Sequence, residues 1–178
     1  MKPSLILFST LTFCFPAMSQ VSILVGFSAS QGLGYHSGLV TMLQAERSRL
    51  CTSAFVSTAD KYLGNGYSYG SNTHLRFGNR IWAGPALSIS HTSTSQWDKT
   101  SMRPGAAVGI RHRNLQAWIV THLWDTSPNR IRGVSGTVQG NFGRLIVAPS
   151  FDWFTFNQGR GWGVKLMAGW RLSNRGSQ

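Results

Sequence analysis

At 178 residues the chain is long enough for one domain with a real core and too short for two. Seventeen Lys and Arg residues against five Asp and Glu give a formal net charge of +12. Such an excess serves solubility or contact with anionic lipid, polysaccharide or nucleic acid. Two cysteines exclude a disulfide framework, and beyond the leader no apolar stretch approaches the ~18 residues of a transmembrane helix.

The first segment reads as a secretory leader. Met1 and Lys2 form a short basic start, Leu5 to Phe15 (LILFSTLTFCF) is a mostly apolar run, and Ala17 and Ser19 put small residues where a signal peptidase reads. Phe13 before Cys14 argues against a lipoprotein. The expected organisation is a signal peptide over 1–19 and a single domain over 20–178. Cleavage leaves Cys51 as the one cysteine, and export makes nucleic acid an unexpected partner.

From there the dominant period is two. "VSILVGFSA" sets Val21, Ile23, Val25 and Phe27 on one face, with Ser22, Gly26 and Ser28 opposite. "IWAGPALSIS" sets Ile81, Leu87 and Ile89 against Gly84, Ser88 and Ser90. "RPGAAVGIR" sets Val108 and Ile110 against Arg103, Gly109 and Arg111. "GWGVKLMAGWRL" sets Trp162, Val164, Leu166, Trp170 and Leu172 against Lys165, Gly169 and Arg171. This alternation is the strand signal, and no long segment shows helical spacing. Ten strands are predicted near 21–30, 38–47, 50–60, 69–78, 81–91, 103–112, 115–125, 131–140, 144–156 and 162–172, with eight as the fallback count. Short polar hinges at 47–49 (RSR), 78–80 (GNR), 112–114 (HRN) and 140–143 (GNFG) alternate with longer connections rich in Gly, Ser and Asn.

Strands of about ten residues match what a tilted strand needs to cross a bilayer, and an even count puts both termini on one side. With its signal peptide, alternating turn lengths and Trp-flanked last strand, the whole mature chain resembles the small bacterial outer-membrane β-barrel proteins. One departure is that the chain runs on through "SNRGSQ" after Leu172, where such barrels end on an aromatic residue. The resemblance implies an all-β, antiparallel up-and-down transmembrane barrel in the outer membrane of a Gram-negative-type bacterium. It also implies short periplasmic turns, longer extracellular loops, and a structural or surface-interacting role. Expected partners are outer-membrane lipid and lipopolysaccharide, the barrel assembly machinery, and an unidentified envelope or surface partner.

Charge distribution selects the inner face. Arg76, Arg103, Arg111, His122, Asp152, Lys165 and Arg171, with His74, lie opposite the aliphatics and are expected to form a polar network in the lumen. Glycine and alanine among them make room for longer side chains. Asp152 is expected to pair with Arg111 or Arg171, and Glu46 to serve as a further counter-charge. The face of Ile23, Phe27, Leu75, Ile81, Ile119 and Phe151 carries no charge. This fits lipid, because an outward Arg at mid-bilayer costs about 2–4 kcal/mol. Trp153, Trp162 and Trp170 near strand ends are expected interface aromatics. Arg47, Arg49, Arg80, Arg113 and Arg144 mark the hinge rim as basic, while Asp60, Asp98 and Asp125 fall at the loops.

No phosphate loop, metal-ligand spacing or cofactor motif is present in the sequence. One pattern carries an enzymatic reading: "SISHTSTSQWD" offers His91, Ser93 and Asp98, the residue types an acyl-transfer triad requires. It is similar to the His-x-Ser pair of membrane-embedded lipid A deacylases, but Thr94 stands where that family has Asn. The composition is also compatible with a narrow anion-favouring pore, whose wall would be basic, and with a secreted soluble ligand-binding barrel that buries its apolar face.

Overall fold

The computed structural model describes residues 20–31, 35–59, 66–93, 98–123, 132–156 and 159–174. The expected signal peptide and the loop acids Asp60 and Asp125 lie outside them. Ten strands follow in chain order: β1 (Gln20–Gln31), β2 (Tyr35–Arg47), β3 (Leu50–Ala59), β4 (Gly66–Leu75), β5 (Ile81–Ser93), β6 (Asp98–His112), β7 (Leu115–His122), β8 (Arg132–Phe142), β9 (Leu145–Phe156) and β10 (Gly159–Asn174). Each pairs antiparallel with its sequence neighbours, and β1 pairs with β10 from Gln20↔Asn174 to Gln31↔Trp162, closing the barrel. Closure removes the sheet edges, so no row of backbone donors is left unpaired. No described residue is helical.

The short connections cluster at one end of the barrel, the turn end. Residues 48–49, 113–114 and 143–144 link β2 to β3, β6 to β7 and β8 to β9, and residues 76–80 link β4 to β5 with a single bridge between Phe77 and Ala83. Three of the four reversals use the left-handed backbone region, taken by Gly78 (φ 119°), Gly143 (φ 64°) and Arg113 (φ 50°), while the 48–49 turn does without it. At the opposite, loop end several strands run further than the sequence pattern indicates, whereas β7 ends at His122, short of the expected 125. β4 begins at Gly66, β6 at Asp98 and β10 at Gly159, so much of "TSTSQWDKTSM" and "NQGRG" is strand, not loop. Thr- and Ser-rich segments pair well in an antiparallel ladder, yet they lack the apolar alternation that reveals a strand from sequence.

Alternation carries into three dimensions: residues on one parity point into the lumen and the others outward. Outward aliphatics are widely exposed, among them Ile81 at 69%, Phe142 at 61% and Leu166 at 60%. Inside, the contents are layered along the barrel axis. The middle layer departs from the expected mix of small and charged residues. Leu24, Val40, Ile146, Ala148 and Met167 form an apolar cluster with Met42 and Phe55, and Trp82, Ala86 and Ala107 form a second with Trp118 and Val120. Gly109 shows why glycine is needed on this face: a Cβ there would collide with the Trp82 ring that lies across it.

Candidate functional site

The interior polar groups divide into two layers, one at each end. At the turn end Glu46, last-but-one residue of β2, is 8% exposed and acts as a hub. Its carboxylate accepts from Gln44 Nε2 (2.8 Å), Arg76 Nη2 (3.1 Å), Arg111 Nη2 (3.2 Å) and Gln116 Nε2 (3.4 Å). Arg111 Nη2 also donates to Gln116 Oε1 (3.1 Å). Arg76, Arg111 and Gln116 come from the end of β4, from β6 and from β7, so their bonds to Glu46 of β2 span the lumen. Arg76 is 4% exposed, and its guanidinium carbon lies 5.9 Å from the Trp82 ring centre. Trp82 in turn stacks on His74 at 5.1 Å, and Trp118 meets His74 from another side at 6.2 Å. Beside this hub, Asn141 Oδ1 accepts from Arg171 Nη2 and Gln139 Nε2, both at 3.1 Å.

The backbone explains why four of these residues sit at one level. The N–H groups of Arg76, Arg111, Asn141 and Arg171 donate to the carbonyls of Arg49, Arg80, Asn114 and Arg144. Each even-numbered strand from β4 onward thus meets the preceding turn at its inward-pointing polar residue. Together they form a girdle under the apolar layer.

At the loop end lies the second polar layer. Lys165 Nζ pairs with Asp152 Oδ2 at 2.6 Å, and Arg103 Nη2 donates to Ser90 Oγ at 3.3 Å. His122, Arg103, Asp152 and Lys165 line a cavity of about 420 Å³ together with Ser28, Ser30, Ser57 and Ser88, Ser28 being the register partner of Lys165 and Ser88 that of Arg103. Nδ1 of His122 is buried without a hydrogen-bond partner among the described residues. The cavity reaches down to Trp118 and Phe55 in the apolar layer.

All seven residues expected in the lumen therefore point inward, but they form two groups. Arg76, Arg111 and Arg171 belong to the turn-end layer; Arg103, His122, Asp152 and Lys165 belong to the loop-end layer. The expected pairing of Asp152 with Arg111 or Arg171 does not form. Asp152 takes Lys165, Arg111 takes Glu46, and Arg171 takes Asn141. Gln44, Gln116, Gln139 and Asn141 complete the turn-end layer, and being uncharged they escape a reading of the sequence by charge. Their signal is positional, since each lies inward within a few residues of a hinge.

On the outer surface Trp153 and Trp162 are register partners near the loop end, and Trp170 pairs with Leu145 beside the 143–144 turn. His91, Ser93 and Asp98 also lie on the outer face at the loop end. His91 Nε2 meets Asp98 Oδ1 at 3.2 Å, and its Nδ1 meets Thr100 Oγ1 at 3.0 Å. The hydroxyl engaging the imidazole is thus that of Thr100, not Ser93, and both ring nitrogens are taken. Tyr69 packs on the His91 ring at 5.0 Å. Among the described residues no group of three or more His, Cys, Asp or Glu side chains is placed to hold a metal ion. Cys51 is a buried free thiol.

No protein-family model and no curated protein matches the chain. Among solved structures it is similar to the outer membrane protein Ail, the attachment invasion locus protein of Yersinia pestis, at 12% identity and TM-score 0.42, over 87% of this chain and 99% of that one. Neisserial surface protein A is similar at 15% identity and TM-score 0.41, covering 86% and 96%. The N-terminal β-barrel domain of Pseudomonas aeruginosa OprF follows at 9% identity and TM-score 0.42, covering 85% and 97%.

Proposed function

We propose that the chain is an integral outer-membrane β-barrel protein with a structural or surface-interacting role, its turn end towards the periplasm and its loop end towards the outside. The observation that carries this reading is the inversion of the usual soluble pattern. Charged and amide side chains fill the turn-end lumen, while Ile, Val, Leu, Phe and Trp cover the outside. A soluble protein that exposed so continuous an apolar belt would associate or precipitate, whereas a bilayer solvates it. Outer-membrane lipid and lipopolysaccharide are then the immediate surroundings, and the barrel assembly machinery the route of insertion.

The Glu46 girdle favours a closed barrel over a conducting one, because side chains from opposite walls bond to one another across the bore. The occupation of both His91 nitrogens by Asp98 and Thr100 favours a non-catalytic role over acyl transfer from Ser93. Extraction from the cell envelope should require detergent, and the unboiled protein should migrate faster on a denaturing gel than the boiled one. Release without detergent, together with one migration position before and after boiling, would favour the soluble ligand-binding barrel.

A further inference from the structure

The outer face of the loop-end half bears two arginine side chains among the described residues, and register puts them in one row. Arg132 of β8 pairs with Thr155 of β9, and Thr155 pairs on its other side with Arg160 of β10. The next outward row towards the turn end is Val134, Trp153 and Trp162. Neighbouring strands stand about 4.8 Å apart, so the two arginines rise roughly 10 Å from each other with a threonine hydroxyl between them. Both are exposed, and neither takes part in an ion pair among the described residues.

Below this row the outer wall is hollow. An apolar concavity of about 750 Å³ lies over Gly136, with Ile119, Val138 and Phe151 among its walls. Gly136 is the next outward residue of β8 after Val134, and its register partners are Ile119 and Phe151. A Cβ on Gly136 would meet only the Phe151 carbonyl oxygen, at 4.0 Å. From loop end to turn end the surface thus reads: two cations and a hydroxyl, a tryptophan pair, then an apolar trough.

That order matches a phosphate-bearing lipid, with headgroup, glycerol or sugar level, and acyl chain in sequence. Guanidinium groups donate two parallel bonds to phosphate oxygens, and tryptophan favours the boundary between headgroup and hydrocarbon. We infer that Arg132, Thr155 and Arg160 clamp the phosphate of an anionic lipid in the loop-side leaflet, whose acyl chain lies in the trough over Gly136. The inference rests on the membrane reading above, yet it can fail while that reading stands.

The test uses the full barrel in neutral detergent, titrated with lipid A, with phosphatidylcholine and with inorganic phosphate, and read by bound lipid in native mass spectrometry. Wild type should retain lipid A selectively. R132Q/R160Q should bind it at least tenfold more weakly. Gly136→Leu, which fills the trough, should also weaken it. R47Q/R49Q removes the same net charge from the turn end and should bind like wild type. Heat-dependent gel migration, retained in every variant, separates loss of the clamp from loss of the barrel. In wild type, raising salt from about 50 to 500 mM should weaken lipid A binding without altering the barrel. Equal retention of phosphatidylcholine would overturn the inference. So would wild-type affinity in R132Q/R160Q, an equal loss in R47Q/R49Q, or displacement of lipid A by millimolar inorganic phosphate.

Discussion

Glu46 is the residue on which the turn-end interior depends. Removing one partner of a buried, hydrogen-bonded ion pair costs about 3–5 kcal/mol, because the remaining charge stays buried without compensation. Arg76 is the partner left in that position, at 5% side-chain exposure, whereas the Arg111 side chain is 45% exposed and can turn to solvent. Glu46→Gln should therefore lower the urea midpoint of the refolded barrel far more than Arg111→Gln, whose cost should stay near the ~1 kcal/mol of a solvated pair. Equal effects from the two would remove Glu46 as a hub. Parity along the strands is enough to assign these side chains to the lumen from sequence. Their pairing is not legible there, because parity gives the face and says nothing of height. Arg111 lies beside the 113–114 turn, while Asp152 lies well up β9 from the 143–144 turn, at the other end of the barrel. Counting residues from the hinges places Glu46, Arg111, Gln116 and Asn141 at one level, each two residues from a turn.

At the scale of strands and hairpins, the sequence reveals the elements best where one face meets apolar surroundings. All ten strands are legible, and their turn-end boundaries fall within a few residues of those expected. Most loop-end boundaries agree as closely, but β6 begins at Asp98 and β10 at Gly159, ahead of the expected 103 and 162, because Ser, Thr, Gly and Lys segments carry no apolar period there. At 15 and 16 residues these two strands exceed the roughly 9–11 needed to cross a bilayer, so in the proposed membrane setting they would project beyond it. The apolar middle of the lumen is also hidden, because Leu24, Ile146 and Met167 interrupt strands whose inward neighbours are polar or small. β5 and β6 are locked by Trp82 of one lying across Gly109 of the other. Gly109→Leu should destabilise the barrel by about 1–3 kcal/mol through overpacking. Adding Trp82→Ala should recover part of that loss. Additive losses in the double variant would show that the two residues do not share the space.

For the molecule as a whole, the arrangement is a barrel sealed at one end and hollowed at the other. The girdle and the apolar layer above it leave the cavity of about 420 Å³ reaching inward from the loop end. Planar bilayers containing the protein should therefore stay electrically silent, and stepwise anion-selective currents would mean that the girdle opens. The central claim, however, is one of orientation: apolar side chains meet acyl tails while the charged groups are enclosed. Tryptophan reports this most directly, since Trp170 points outward at 51% exposure and Trp118 points into the lumen against His74. Two single-tryptophan proteins, one retaining Trp170 and the other Trp118, should be reconstituted into bilayers with brominated acyl chains. Strong quenching of Trp170 with Trp118 spared is the predicted result. Quenching of Trp118 with Trp170 unaffected would contradict it.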